Sequence, residues 1–211
     1  MSSKPLIVIG GGGHASVLVA TLIRQRRDIL AVISPDEISG RACLARLPHL
    51  RDDEEIMRFA PEDVELINAI GATPGSLLRR KVNERFLNKG YRFASVISDE
   101  AIVSDFAVIH TGAQILTRAI IQPGAVIGSH SVVNTGAIIE HDCHIGEYNF
   151  IGPGATLCGD VRTQDNVFIG AGATIIPGMQ LDDSAFVAAG AVLVNSLGAG
   201  KRRYSVKTVI K

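Results

Sequence analysis

The chain has 211 residues, 46% of them hydrophobic, and its 21 basic and 21 acidic residues balance to a formal charge of zero. That length buries a proper core in one large domain or two small ones, and a neutral balance gives no field to draw nucleic acid or an anionic membrane. Three cysteines without a C-x-x-C pair argue against a disulfide framework, and the apolar run after Lys4 is too short for a signal segment or a span, so a cytoplasmic protein without nucleic-acid or membrane partners is expected.

The first predicted element is the short aliphatic strand "PLIVI". Glycines follow it, and then "HASVLVATLIRQRR" repeats Ala15, Leu18, Val19, Leu22 and Ile23 at helical spacing. "ILAVI" is a second strand, Asp53 to Phe59 a short helix, and "VELINAI" a third strand. "PGSLLRRKVNERFLNKG" reads as a helix that starts at Pro74 and stops at Gly90. Alternating strands and helices imply a small Rossmann-like parallel sheet, an α/β domain over residues 1–93.

The loop Gly10 to Ala15, "GGGGHA", lets backbone N–H groups approach an anion at a helix N-terminus. It formally fits G-x-G-x-x-A. A dinucleotide site also wants an acid at the end of the second strand, where this chain has Ser34 and Pro35, so NAD is disfavoured. A tight turn without a ligand is the alternative.

From residue 94 onward the period changes to six. Seventeen unbroken hexads run from "ASVISD" to "GAVLVN"; the fourth position is Ile, Val or Leu in all but Thr163, and the second is mostly alanine. This pattern predicts a β-solenoid over residues 94–211 with one short strand per hexad. If three hexads close a coil, residues eighteen apart stack at about 4.8 Å. Positions two and four then point inward and position three outward. One outer column is Val96, Gln114, Val132, Phe150, Phe168 and Phe186; a second is Ile102, Ile120, Ile138, Thr156, Thr174 and Val192; the third, around His144 and Arg162, is more polar. Two apolar columns suggest contact with other copies, as in a cyclic trimer; ladder packing alone is the alternative.

"GAIIEHDCHIG", residues 136–146, concentrates the chemistry. The register puts His141 at a corner, followed by Asp142. A near-neutral histidine beside a carboxylate suits a general base for an amine acceptor, and a solvent-bonded structural histidine is the other reading. Gly159, one coil above, leaves room for an incoming substrate. A metal centre is not expected, because Cys143 points inward and His144 outward, and ligands on opposite sides of one strand cannot converge.

A G-x-x-G-H loop behind an N-terminal strand, joined to a hexapeptide prism with an "E-H-D-C" corner, resembles the bacterial sugar acetyltransferases of the sialic acid O-acetyltransferase type. Their closer members N-acetylate nucleotide-linked amino sugars, such as the UDP-bacillosamine-pathway, perosamine and dTDP-4-amino-4,6-dideoxyglucose enzymes. The resemblance implies a left-handed parallel β-helix and a homotrimer with acetyl-CoA between adjacent prisms. It implies that the N-terminal domain holds the nucleotide sugar, for surface polysaccharide such as lipopolysaccharide. It assigns Gly12, Gly13 and His14 to the diphosphate and the Ser34 and Pro35 region to the nucleoside. His141 becomes the base, Asp142 its partner, Asn134 a substrate contact, and Phe150, Ala171 and Ala189 the acetyl-CoA contacts. Three features depart from the family: Ser34 and Pro35 replace acids, Phe150 replaces a histidine, and "GKRRYSVKTVIK" lacks the G-x-P-A-K ending. Lys201, Arg202 and Arg203 meet CoA phosphates in one reading and form a solvated tail in another. An O-acetyltransferase and a non-catalytic trimeric scaffold are the alternative functions.

Overall fold

The computed structural model describes residues 4–205. The chain divides into two compact units, Met1–Val96 and Ile97–Lys211.

The first unit is a small parallel α/β layer. In chain order it contains β1 (Leu6–Ile9), α1 (Gly13–Arg24), β2 (Ile29–Ile33), β3 (His49–Leu50), a 3₁₀ helix (Asp53–Arg58), β4 (Glu65–Asn68) and α2 (Leu78–Leu87). The sheet order is β3-β2-β1-β4, and every pairing is parallel. All four residues of β1 are buried, which is why it reads as a continuous aliphatic run rather than an alternating one. α1 buries Ala15, Leu18, Val19 and Leu22, the stripe its periodicity marks. The 3₁₀ helix is opened by a capping box: Asp52 accepts from the Glu54 N–H at 2.9 Å, and Glu55 reaches back to the N–H of Asp52. Phe86 and Tyr91 close the core, and the Tyr91 hydroxyl donates to the Phe59 carbonyl at 2.8 Å.

One sequence expectation needs correction here, and one strand was not expected. α2 begins at Leu78, not at Pro74, because Gly75 takes φ +76° and turns the chain, after which the Ser76 hydroxyl accepts the Leu78 N–H at 3.3 Å. β3 carries no periodic signal, because two residues at a sheet edge are too few to show one.

The second unit is a parallel β-solenoid with three flat faces. Each hexad contributes a two-residue strand at its third and fourth positions, and each strand pairs with the one eighteen residues on, as in Val126↔His144↔Arg162. The faces hold seven, six and five strands. Inside lie the small second positions and the branched fourth positions, for example Ala137, Ile139, Cys143 and Ile145, all buried. From Gly112 onward, first positions turn the corners in the left-handed region even where they are not glycine, as at Asp142 (φ +62°) and Asp160 (φ +56°).

Thr163, the one polar fourth position, has a partner inside the prism. Its hydroxyl accepts from Asn149 Nδ2 at 2.5 Å, while Asn149 Oδ1 accepts the Val167 N–H at 2.6 Å. Ser131 completes the set by accepting the Asn149 N–H at 2.9 Å and donating to the Gly146 carbonyl at 2.7 Å. A buried polar side chain is tolerated because it is satisfied within this network.

The C-terminal segment is one further rung. Arg202–Arg203 pairs parallel with Phe186–Val187, and Leu181 bridges to Leu197, so the spacing contracts here to sixteen residues. An even contraction preserves the in-out alternation. Arg202 therefore lies outside, 5.7 Å over the Phe186 ring, instead of in a free tail. Residues 206–211 of the expected tail lie outside the described residues.

Candidate active site

His141 and Asp142 occupy the turn between the strands Ile138–Ile139 and His144–Ile145, at one edge of the prism. His141 Nδ1 lies 2.9 Å from Asp142 Oδ2. A carboxylate only accepts, so Nδ1 carries the proton and Nε2 is left as the basic nitrogen. The hydrogen bond that His141 donates to Asp142 is the main cause that raises the imidazole pKa, with added attraction from the charges of Asp142, Glu140 and Asp160. Both side chains are about two-thirds exposed, at 64% and 66%, which leaves them open to a substrate.

Two glycines make room for this pair. A Cβ on Gly159, in the coil above, would lie 2.6 Å from both Nε2 and Cε1 of His141. A Cβ on Gly124, in the coil below, would lie 2.5 Å from Asp142 Oδ1. The space at Gly159 is therefore taken by the His141 ring itself, not left for a substrate as the sequence suggested.

The neighbouring metal-ligand types do not converge. Cys143 is buried in the prism, its thiol 3.2 Å from the Cys158 carbonyl and pushed up to about 11 by burial. His144 faces outward, and its Nδ1 donates to the Asp142 carbonyl at 3.0 Å. Among the described residues, no group of three or more His, Cys, Asp or Glu is placed to hold a metal ion.

The residues assigned to the acyl donor lie elsewhere. Phe150 stacks on Phe168 with ring centroids 4.8 Å apart, and the stack continues to Phe186. Ala171 and Ala189 are exposed on successive coils, linked by the Gly190 N–H donating to the Ala171 carbonyl at 2.9 Å. They sit at the edge between the Phe150 face and the Ile138 face, and Asn134 lies on that edge too, its Oδ1 accepting the Thr135 N–H at 2.7 Å. His141 lies at the next edge around the prism, across the Ile138 face. One solenoid does not bring the base and these residues together.

In the first unit a cleft of about 480 Å³ opens at the carboxyl ends of β1, β2 and β4. Gly10, Gly11, Gly12, Ser34 and Pro35 line it; Gly13 and His14 follow in the first turn of α1 and do not. The first turn of α1 has no acidic residue and no side-chain cap, so its N-terminal N–H groups and dipole remain directed toward an anion. Sequence reasoning missed Asp36, Glu37 and Arg41, which line the same cleft. In the sequence, "PDE" places two acids directly after Pro35, one and two positions beyond the pair assigned to the nucleoside. Glu37 is held down to about 2, first by the Ser39 N–H and then by Arg51, whose guanidinium donates to it at 2.6 Å. Ser34 is spent on the loop: its hydroxyl accepts the Asp36 N–H at 3.3 Å and its carbonyl accepts from His49 Nε2 at 2.8 Å.

Comparison with known proteins bears on both units. The family described as bacterial transferase hexapeptide (six repeats) matches residues 124–159, and the hexapeptide repeat of succinyl-transferase matches 164–194. No curated sequence matches the chain. Among solved structures, perosamine N-acetyltransferase from Caulobacter crescentus, in complex with CoA and GDP-perosamine, is 28% identical with a TM-score of 0.86, covering 98% of this chain and 97% of that one. The acetyltransferase domain of PglB from Neisseria gonorrhoeae FA1090, in complex with acetyl coenzyme A, is 26% identical with a TM-score of 0.85, covering 95% of each. WeeI from Acinetobacter baumannii AYE is 25% identical with a TM-score of 0.75, over 95% of this chain and 96% of that one. Repeat models match the solenoid and these likenesses run through both units, so the chain carries hexapeptide repeats and has the fold of solved CoA-binding acetyltransferases.

Proposed function

We propose that the protein transfers an acetyl group from acetyl-CoA to the amine of a nucleotide-linked amino sugar, with His141 as general base. The observation that carries this reading is the His141 Nδ1 to Asp142 Oδ2 contact of 2.9 Å on an exposed edge, which leaves Nε2 as the basic nitrogen. The amine nitrogen attacks the thioester carbonyl, its proton passes to Nε2, and the tetrahedral intermediate collapses with release of the CoA thiolate. The imidazolium formed is stabilised by Asp142 first, with Glu140 and Asp160 adding attraction.

The first unit, proposed as a nucleotide-sugar-binding domain over residues 1–93, takes the diphosphate at Gly12, Gly13 and His14, and Ser34 and Pro35 mark the nucleoside side. Asp36 replaces the missing acids there, because its carboxylate lines the cleft and suits ribose hydroxyls. Acetyl-CoA runs along Ala171 and Ala189 beside Phe150, with Asn134 near the reacting groups. Because that edge and the His141 edge are separate on one prism, a complete site requires two copies, and a cyclic homotrimer supplies three such pairings. A role in the cytoplasm, modifying precursors of surface polysaccharide, follows from substrates of this kind. Among the described residues no helix is long and apolar enough to cross a membrane.

The test is release of free CoA thiol with UDP-, dTDP- and GDP-linked amino sugars, and with free sialic acid as an O-acceptor. Turnover with one amino nucleotide sugar, and none with its hydroxyl counterpart, is expected. Turnover on sialic acid alone identifies an O-acetyltransferase, and no turnover with any acceptor identifies a scaffold.

A further inference from the structure

The corner that carries Asp142 carries a second aspartate directly above it. Asp142 and Asp160 are eighteen residues apart, both at first hexad positions and both in the left-handed region. The Asp160 N–H donates to the His141 carbonyl at 3.0 Å, so this aspartate is attached to the base's own backbone. Their carboxylates nevertheless do different things. Asp142 binds His141, whereas Asp160 Oδ1 is held by Arg162 through Nη2 at 2.9 Å and Nε at 3.2 Å.

The charges facing the imidazole come from every surrounding segment. Its own hexad supplies Glu140, the following one Asp142 and His144, and the coil above Cys158, Asp160 and Arg162. The coil below presents Gln122, Pro123 and Gly124, none of them titratable. Arg162 is thus the one cation on these segments that is charged throughout the physiological range, and it is committed to the aspartate nearest above the base pair.

We propose that Arg162 is a positioning residue for acetyl transfer: by pairing with the Asp160 carboxylate it offsets part of that charge at His141 and so helps set the pH range in which the base works. This rests on His141 being the base. Loss of Arg162 leaves the Asp160 charge without its counter-ion, favours the protonated ring, and moves the acid limb of kcat/KM to higher pH. Removal of Asp160 leaves Arg162 unpaired and moves the limb the other way. One unit charge at this exposure is worth about half a pH unit, and salt shrinks it.

The experiment measures the acid limb of kcat/KM and, independently of activity, the NMR titration of the His141 ring in the full-length protein. Arg162→Gln is expected to raise both by about half a unit, Asp160→Asn to lower both, and the double variant to return near the parent. Arg162→Lys, which keeps the charge, restores most of the parent profile, and 1 M NaCl diminishes every difference. Unchanged ring titration in both single variants, or movement in the same direction in both, overturns the proposal. Ring shifts as expected together with full activity of His141→Asn would leave the electrostatic clamp standing and remove His141 as base, so the two failures are distinguishable.

Discussion

At the level of single residues, the base pair is held by what its neighbours lack. Gly159 and Gly124 leave the volumes that the His141 ring and the Asp142 carboxylate fill. Gly159→Ala is expected to push the ring off its present position, because a methyl carbon 2.6 Å from Nε2 has no room. The outcome is a loss of at least tenfold in kcat/KM, with an unchanged far-UV spectrum, since the ring is exposed and can swing aside. Asp142→Asn removes the main cause of the raised His141 pKa. A raised pKa keeps the ring protonated to higher pH, so its loss moves the acid limb of kcat/KM to lower pH. The same change weakens the hold on the tautomer, and kcat falls by about tenfold or more. A pH–rate profile from pH 5 to 9 reads both effects.

At the level of elements, the solenoid shows why a period of six was so legible and where it failed. Most hexads repeat one local problem, a small inward residue, a branched inward residue and a left-handed corner, so register propagates along the chain without distant information. The inward placement of Cys143 and Ile145 and the outward placement of His144 follow from that register alone. Thr163 was an unexplained exception because its partner, Asn149, comes from an adjacent face, a contact no single strand reveals. Thr163→Val strips Asn149 Nδ2 of its acceptor inside the prism and is expected to cost about 1–3 kcal/mol. Thermal unfolding followed by circular dichroism measures it, and no drop in midpoint would show that the network adds no stability. The last rung escaped notice for a different reason. Its spacing contracts from eighteen to sixteen, and a strict hexad frame ends at Asn195.

At the level of the molecule, the two units carry separate halves of the proposed chemistry, and the sequence was informative about them to different degrees. The glycine loop and the strand-helix alternation were readable in the first unit, because local turns and periods specify them. The cleft acids Asp36 and Glu37 were not, since they face the glycine loop only after β1 and β2 pair side by side. Nucleoside diphosphates are expected to raise the unfolding midpoint, as any ligand of the native state does. Asp36→Ala is expected to weaken that binding about tenfold by calorimetry, while acetyl-CoA affinity stays the same; equal loss for both ligands would contradict a nucleoside role for Asp36. In the second unit, the hexad register located the His141 edge and the Ala171–Ala189 edge, and its apolar columns suggested contact with other copies; which copy would join the two edges is not written in the register, because assembly is a property of surfaces.

The central claim is that His141 takes the proton from the attacking amine. Its most direct measurement is kcat/KM of the His141→Ala variant against the parent, with the responding amino nucleotide sugar and saturating acetyl-CoA, on protein of matched circular dichroism and sedimentation. A loss of at least about a hundredfold, the scale of general-base catalysis, with unchanged fold and assembly is the expected result; a variant within a few-fold of the parent would contradict the account.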